Sequence, residues 1–316
     1  MTDYTLQRCE DASSWERFLQ HSPQACIYCH PDVIDALGCT ADYWFVMRNG
    51  YPAAAVPIIT DNRVCPGLPI HSYYTGLMLH DESWRCKPNR RTENLLGISA
   101  AVMEELSGTY EHIQMSLHPD LCDIRGFDWF NYHSPEQGRA SISPRYTARI
   151  RLDEDSIRHN ARSSRRREER YAAEREGLQF TVDGSAAELI ALWTASLQRQ
   201  QSSPERSMLA QTERFADLML EQEQAIIGCV RDDSGEAHAA GMLLFDHHGN
   251  AHLPVVGTSP SRYAGTMLYF GLMDTAASRD VRTLDFNGAN SPARAYFKHS
   301  IGGESTLFFH IDWQRP

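Results

Sequence analysis

Apolar side chains recur at two different spacings along the second half of the chain, and the spacings predict both kinds of secondary structure. Short runs rich in β-branched and aromatic residues indicate strands, whereas apolar residues three and four positions apart indicate helices. The predicted strands are residues 178–182, 225–231, 237–246, 251–259, 281–286 and 305–313. The predicted helices are residues 185–201, 211–223, 264–279 and 292–300. Their order is β-α-α-β-β-β-α-β-α-β.

The first half shows nearly the same order of elements. Its predicted strands are residues 4–8, 43–48, 53–60, 71–79, 112–117 and 145–152, and its predicted helices are residues 13–20, 31–38 and 92–107. Asn49-Gly50 separates two of these strands and is a strong hairpin turn. The repeated order predicts duplication and fusion. We therefore expect a mixed α/β (α+β) chain of two domains, residues 1–145 and 146–316, each with a central sheet flanked by helices.

Composition and charge restrict the class of protein. With 42% hydrophobic and 22% charged residues, the chain is typical of a globular protein. The longest apolar run, PAAAVPII, is far shorter than the roughly 20 residues of a membrane span. The polar N-terminus resembles no secretory signal, so we expect a cytoplasmic protein. The net charge of −11 disfavours DNA and anionic membranes as partners, and any bound anion needs a local cluster of Arg or Lys.

The stretch Cys26-Ile27-Tyr28-Cys29-His30 has the spacing of a covalent haem attachment site. A metal or redox role for its thiols is a second alternative. Haem attachment of that kind requires export, and zinc would need a second ligand pair, whereas the other cysteines are scattered singly. We therefore expect free, buried thiols at Cys26 and Cys29, no metal site and no permanently bound cofactor.

A basic stretch, RSSRRREERYAAERE, opens the second half. Its arginines at four-residue spacing would stack on one face of a helix, where their like charges repel one another. A bound anion would relieve this repulsion. A solvated face cross-linked by glutamates is the alternative. The sequence predicts that Arg158, Arg162, Arg166 and Arg170 bind phosphate groups. The ligand is an RNA acceptor stem, a nucleotide-linked acceptor or CoA.

Several stretches, in order, carry a resemblance to a known family. WERFLQ, HPDVIDALG, GYPAAAVPI and YYTGLML are similar to the N-terminal half of FemAB-like proteins, the tandem GNAT acyl and aminoacyl transferases. DIRGFDWFNY resembles the segment that joins their halves, and LDFNGANSPARAYFKHSIGG resembles their ending. The resemblance implies two GNAT-like domains and transfer of an aminoacyl or acyl group to a primary amine. In that family no cofactor lies near the Cys-x-x-Cys-His position.

The turn SPSRYAGTMLYFGL is the second candidate for phosphate binding. A strand leading into Arg262 and Gly265 and then a helix presents backbone N–H groups to an anion. GNAT enzymes bind the CoA pyrophosphate at such a turn, although Met267 stands where their pattern has a small residue. A plain helix cap with an ion-pairing arginine is the alternative.

The third candidate is Asp285-Phe286-Asn287-Gly288 with the residues that follow it. Asp285 ends a predicted strand, where ligands of α/β sheets usually bind. The family resemblance implies that Lys298 supplies positive charge to the tetrahedral intermediate, and we expect Asp285 as its catalytic partner. A structural Asp and a surface Lys are the alternative. The expected acceptor-binding residues are Tyr74, Asn287, Asn290 and Arg294, although Tyr74 also suits a core aromatic.

Two donors and two kinds of acceptor stay open at this stage. The arginine face slightly favours aminoacyl-tRNA as co-substrate, whereas the acidity of the whole chain favours acyl-CoA. The acceptor is a primary amine, either a small molecule or a peptidoglycan-type precursor. A non-catalytic tRNA- or anion-binding module on the same fold is the alternative function.

Overall fold

The computed structural model describes residues 4–63, 67–152, 156–261 and 263–316. Contacts divide the chain into two compact units, Met1–Arg145 with Leu307–Pro316, and Tyr146–Thr306. One boundary between the two units lies after residue 145. The chain from Leu307 onward lies in the first unit, so the second unit is formed by one continuous segment.

The first unit contains a four-stranded sheet and some strands of an eight-stranded sheet, together with five α-helices among the described residues. Its helices are α1 (Ala12–Gln20), α2 (Pro31–Ala36), α3 (Asp81–Trp84), α4 (Pro88–Thr109) and α5 (Arg125–Asp128). Its strands are β1 (Thr5–Arg8), β2 (Cys39–Arg48), β3 (Tyr51–Asn62), β4 (Met78–Leu79) and β5 (His112–Ser116), with parts of β6 (Ser141–Arg151) and β12 (Glu304–Gln314). Strands β1 to β4 pair in sequence order, and β5 pairs with the end of β12. The apolar face of α4 packs in the core of this unit.

Three sequence predictions meet different outcomes in the first unit. Asn49 and Gly50 form the expected hairpin turn between β2 and β3, with φ of 51° and 82°. The strand predicted at residues 71–79 is wrong except for β4, because His71 and Tyr74 have φ of 63° and 60°, which an extended strand excludes. Helix α1, predicted from residue 13, begins at Ala12 and is capped by Asp11, whose carboxylate accepts from two backbone N–H groups.

The second unit follows the predicted order. Its helices are α6 (Ser156–His159), α7 (Ser163–Glu176), α8 (Ala186–Arg199), α9 (Arg206–Glu221), α10 (Ala264–Ala277) and α11 (Pro292–Ser300). Its strands after β6 are β7 (Gln179–Thr181), β8 (Ala225–Arg231), β9 (Ala237–Phe245), β10 (Asn250–Thr258) and β11 (Thr283–Asp285). The strands lie in the order β6-β11-β10-β9-β8-β7, and β10 and β11 pair in parallel. The predicted α/β class is confirmed.

Helix α10 lies at the centre of the core of the second unit. Leu268, Phe270 and Leu272 on this helix are fully buried against strand residues that include Leu243 and Leu284. Burial of such side chains contributes about 1.5–3 kcal/mol each to folding. Among the described helices, none combines the length and the apolar composition needed to cross a bilayer.

The basic stretch forms two helices and not the single helix expected from its spacing. Helix α6 ends at His159, and α7 begins after Arg162, whose side chain makes no capping hydrogen bond. The guanidinium of Arg166 donates to the carbonyl oxygens of Arg158, His159 and Ala161 at 2.9, 3.2 and 2.8 Å. The carbonyls of Arg158 and His159 belong to the end of α6, where a helix leaves its last carbonyls without intrahelical donors. The prediction that four arginines share one helical face is therefore wrong.

Candidate active site

The parallel strands β10 and β11 part after three residues. Their pairing runs from Asn250 beside Thr283 to His252 beside Asp285. Beyond that point β10 continues along β9, with a bulge between His252 and Val255 that contains Pro254. The chain after β11 instead stays with β6, because Phe286 and Ala289 donate backbone hydrogen bonds to Ala148 and Tyr146. We call the space between residues 255–258 and residues 286–288 the cleft.

Helix α8 forms one wall of the cleft and packs directly on β10. A Cβ atom at Gly257 would lie 2.2 Å from the backbone nitrogen of Trp193, so only glycine permits this approach. The hydroxyl of Ser196 accepts from the N–H of Thr258 at 2.8 Å and donates to its carbonyl at 3.0 Å. Arg199 donates to the hydroxyl of the same threonine at 3.2 Å. The polar groups of Thr258, at the end of β10, are thus hydrogen-bonded to side chains of α8.

Asp285 anchors the opposite wall. Its side chain is buried, and one carboxylate oxygen accepts from the hydroxyl of Thr147 at 2.5 Å and from the N–H of Asn287 at 2.9 Å. The other oxygen accepts from Nε of Arg149 at 3.0 Å. Both oxygens are engaged, so this carboxylate fixes the turn that follows β11.

Lys298 stabilises the same turn through its ammonium group. Asn287 and Gly288 have φ of 50° and 48°, and the turn directs carbonyl oxygens inward. The buried ammonium donates to the carbonyls of Phe286 and Gly288, both at 2.8 Å, and to that of Asn287. Burial, with the nearby charge of Arg294, lowers the pKa of Lys298 to about 8, although Asp285 opposes that shift.

The predicted acceptor-binding residues have different surroundings. Asn290 brackets the backbone of Tyr146, accepting from its N–H at 2.8 Å and donating to its carbonyl at 3.0 Å. The exposed Arg294 donates to Oε1 of Gln200 at 3.3 Å. Tyr74 belongs to the first unit, where its ring is buried and meets Phe308 edge-on at 5.2 Å. Of the four expected acceptor-binding residues, three lie in the segment that also carries Lys298: Asn287, Asn290 and Arg294.

The four arginines predicted to bind phosphate make different contacts from one another. Arg158 donates to Asp274 and to Glu169, and these carboxylates raise the pKa of its guanidinium. Arg170 is exposed and lies 3.7 Å from Glu174. Arg162 is exposed and stacks on the ring of Tyr296 at 4.6 Å. Together with Arg166, which binds carbonyls, these contacts leave no shared arginine face.

The turn into α10 has the predicted order of strand, turn and helix. Gly265 lies in the first turn of the helix, where an added Cβ would be 3.6 Å from Thr258. Arg262 lies outside the described residues. Carboxylates stand beside this turn: Glu168 accepts from the hydroxyl of Thr266 at 2.8 Å, and Glu176 accepts from that of Ser261 at 3.2 Å.

Sequence reasoning missed the α8 side of the cleft. Ser196, Arg199 and Gln200 contact β10 or α11, yet their spacing matches no motif. The available signal was weak: Ser196 is a small polar residue on the face of a helix that otherwise buries apolar side chains. Such a residue indicates a hydrogen bond to a neighbouring element, but the sequence does not say to which one.

The Cys-x-x-Cys-His stretch lies in the first unit. Cys26 and Cys29 are buried, and the Cys29 thiol donates to the carbonyl of Tyr74 at 3.4 Å. Nδ1 of His30 accepts from the N–H of Asp32 at 3.3 Å, which makes it the cap of α2. Elsewhere in the described chain, ligand atoms of Asp232, Glu236 and His238 lie within 4.8 Å of one another on the surface. Exposed acidic groups of this kind are common without an ion.

Comparisons with known proteins agree with this geometry. Residues 159–299 match the family model of the acetyltransferase (GNAT) domain. FemX has the same fold with a TM-score of 0.67 at 12% identity over 96% of each chain. A tandem GNAT protein from the clavulanic acid biosynthesis pathway has a TM-score of 0.55 at 11% identity, over 99% of this chain and 98% of that one. L-PGS from Bacillus licheniformis has a TM-score of 0.53 at 15% identity, over 96% of this chain and 92% of that one. No curated protein matches the chain.

The domain match and the fold agree with each other. The match to the GNAT domain over residues 159–299, which include both walls of the cleft, supports a transferase activity. The fold of the chain over its whole length is the tandem GNAT fold that FemX shares, which agrees with the resemblance seen in the sequence.

Proposed function

We propose that the cleft is the site of an N-acyl transfer, in which an acyl or aminoacyl group moves from an activated carrier to a primary amine. The observation that carries the proposal is the parting of β10 and β11. The N–H of Ser259 bonds to β9 and that of Thr258 to α8. Because successive residues of a strand alternate in direction, the N–H and carbonyl of Val256 face the cleft. An extended carrier arm placed there pairs with this open edge.

The chemistry assigned to the cleft is amide formation. The neutral amine attacks the acyl carbonyl, the carrier leaves, and the amine proton passes to water or to a carboxylate. The developing oxyanion is stabilised by backbone N–H groups such as that of Val256 and by the positive charge of Lys298. Because the Lys298 ammonium donates to three carbonyls, we assign it two tasks: it fixes the turn at Asn287 and it adds positive potential to a site of low dielectric.

Aminoacyl-tRNA is the donor we propose, with acyl-CoA as the second candidate. The tandem fold shared with FemX supports the first. The match to the acetyltransferase (GNAT) domain and the acidity of the chain support the second. Glu168 and Glu176 beside the α10 turn oppose phosphate binding there by either donor. The acceptor is a small-molecule amine or a peptidoglycan-type precursor.

Binding of tRNA to the purified protein separates the donors. We expect charged tRNA to bind more tightly than uncharged tRNA, with affinity that falls steeply as salt rises and that free CoA does not change. Replacing the exposed Arg162 and Arg170 by glutamine should weaken this binding and reduce its salt dependence, while Gly108→Ala in α4 serves as control. Binding of CoA without tRNA would assign the acyl-CoA branch. Ligand binding without any product would favour the non-catalytic module.

A further inference from the structure

An exposed tyrosine of α11 is held in place by an arginine at the start of α7. Tyr296 is 57% exposed, and the guanidinium of Arg162 lies 4.6 Å from the centre of its ring. The same guanidinium donates to the hydroxyl of Tyr296. The backbone N–H of Arg162 also donates to the carbonyl of Ser300 at 3.0 Å, which fixes the start of α7 to α11. We call Tyr296 and Arg162 the tyrosine–arginine pair.

Arg162 differs from neighbouring arginines in its lack of an acidic partner. Arg158 pairs with Glu169, and Arg165 pairs with Glu168. For the exposed Arg162, no carboxylate oxygen of the described residues lies within 4.0 Å. In a chain of net charge −11, such a guanidinium is suited to an external anion. An exposed ring beside it adds a surface on which a planar group can stack, and a nucleotide has both a planar base and a phosphate.

The tyrosine–arginine pair lies close to the cleft. A Cβ added at Gly265, in the first turn of α10, would lie 3.6 Å from Thr258 and 3.9 Å from Phe297. The start of α10, the end of β10 and α11 therefore converge at this point. Arg165, three residues after Arg162, has its guanidinium 4.6 Å from the centre of the Phe297 ring. Because three residues of a helix rise about 4.5 Å, the pair lies about one turn of α7 from the convergence.

We propose that the tyrosine–arginine pair binds the terminal nucleotide of the carrier, with the base stacked on the ring of Tyr296 and a phosphate held by Arg162. This inference rests on the proposed acyl transfer. Both candidate donors, aminoacyl-tRNA and acyl-CoA, carry an adenine nucleotide, so adenine is the base that we assign to the ring. A guanidinium has five N–H donors, so Arg162 can keep its bond to the Tyr296 hydroxyl while it binds a phosphate.

The carboxylates beside the α10 turn are consistent with this placement. Glu168 and Glu176 accept hydrogen bonds from Thr266 and Ser261 at that turn, where their negative charge disfavours a phosphate. The tyrosine–arginine pair instead offers positive charge that no described carboxylate neutralises. Base stacking there adds affinity that does not depend on the backbone N–H groups at the start of α10.

The test measures binding of two nucleotide probes to the full chain by isothermal titration calorimetry. The probes are adenosine 3′,5′-bisphosphate, the nucleotide end of CoA, and the trinucleotide CCA, the end of tRNA. We expect Tyr296→Ala to weaken binding of a probe by about fivefold or more, because the base loses its stacking surface. Tyr296→Phe keeps the ring and should retain most of the affinity. Tyr51→Ala, which removes a tyrosine that is 76% exposed in the first unit, is the matched control.

The two probes identify the source of the nucleotide. Tighter binding of adenosine bisphosphate indicates acyl-CoA, and tighter binding of CCA indicates aminoacyl-tRNA. The proposal is overturned if the wild type binds neither probe, if Tyr296→Ala binds both as the wild type does, or if Tyr51→Ala weakens binding equally. Because neither probe carries an acyl group, each of these failures leaves the proposed acyl transfer standing, and a failed transfer assay leaves the binding result intact.

Discussion

At the scale of single residues, the buried ammonium of Lys298 is the most unusual group near the cleft. Removing a charge from water is unfavourable, and this one is retained because three carbonyls and the nearby Asp285 surround it. The depressed pKa, about 8 against an ordinary 10.5, records the balance between burial and these partners. The contacts that hold the turn at Asn287 therefore depend on the protonation state of Lys298.

The first prediction concerns stability at alkaline pH. Below pH 8 both the folded and the unfolded states hold the Lys298 proton, so the cost of burying the charge is present in full. Between pH 8 and 10.5 the unfolded state binds more protons, and the free energy of unfolding gains a favourable contribution as pH rises. We expect the wild type to gain on the order of 1–3 kcal/mol relative to Lys298→Met across that window. Chemical denaturation at several pH values measures the difference, and parallel pH profiles would contradict the assignment.

The sequence predicted the members of one wall and missed those of the other for a physical reason. Asp285, Asn287 and Lys298 lie within one short stretch, so a turn and a helix bring them together locally. Ser196 and Arg199 reach β10 only because Gly257 lets α8 approach, and that contact joins residues about sixty positions apart in the chain. A residue pattern on α8 alone holds no information on that partner.

At the scale of elements, periodicity predicted the strands and helices that bury a continuous apolar face. Strand β8 and helix α11 have the predicted bounds, because each is delimited by its own pattern. The division of the basic stretch into α6 and α7 was not predictable from spacing, since the junction is accompanied by contacts that no residue pattern encodes, such as those of Arg166 with carbonyl oxygens and of the Arg162 N–H with Ser300. Residues spaced four apart share one helical face only when a single helix runs through all of them.

The second prediction tests the junction between α6 and α7. Arg166→Gln removes the charged donor from three carbonyls and should lower the free energy of unfolding by about 1–2 kcal/mol. Arg170→Gln, which alters an exposed pair with Glu174 and an exposed contact with the ring of Tyr171, should change it by less than about 0.5 kcal/mol. Urea denaturation of both variants provides the comparison. Equal stabilities would show that Arg166 does not hold the junction.

The third prediction tests the packing of α8 on β10. A Cβ at Gly257 would lie 2.2 Å from Trp193 and 2.4 Å from Leu192, both backbone atoms that cannot turn aside. Gly257→Ala should therefore displace α8 and lower the free energy of unfolding by about 1–3 kcal/mol. Gly108→Ala in α4 is the matched control, since nothing lies within 4 Å of its added Cβ. Equal effects of the two substitutions in thermal unfolding would refute the close approach.

At the scale of the whole molecule, the order of elements was the strongest sequence signal, because a duplicated order repeats the same pattern twice. It predicted the tandem GNAT fold that FemX shares, although identity to that protein is only 12%. The identities of donor and acceptor were not predictable in the same way. They depend on contacts of single polar side chains, which leave no periodic pattern in the sequence.

The most direct test of the acyl-transfer site is formation of an amide product by the wild type and by Lys298→Met. Radiolabelled aminoacyl-tRNA and labelled acetyl-CoA are supplied separately with a panel of primary amines, and products are identified by mass spectrometry. We expect an amide with one donor, and turnover lower by about a hundredfold or more in the variant, with donor binding nearly unchanged. Gly108→Ala should match the wild type. Equal turnover by wild type and Lys298→Met, or donor binding without any amide, would contradict acyl transfer at this cleft.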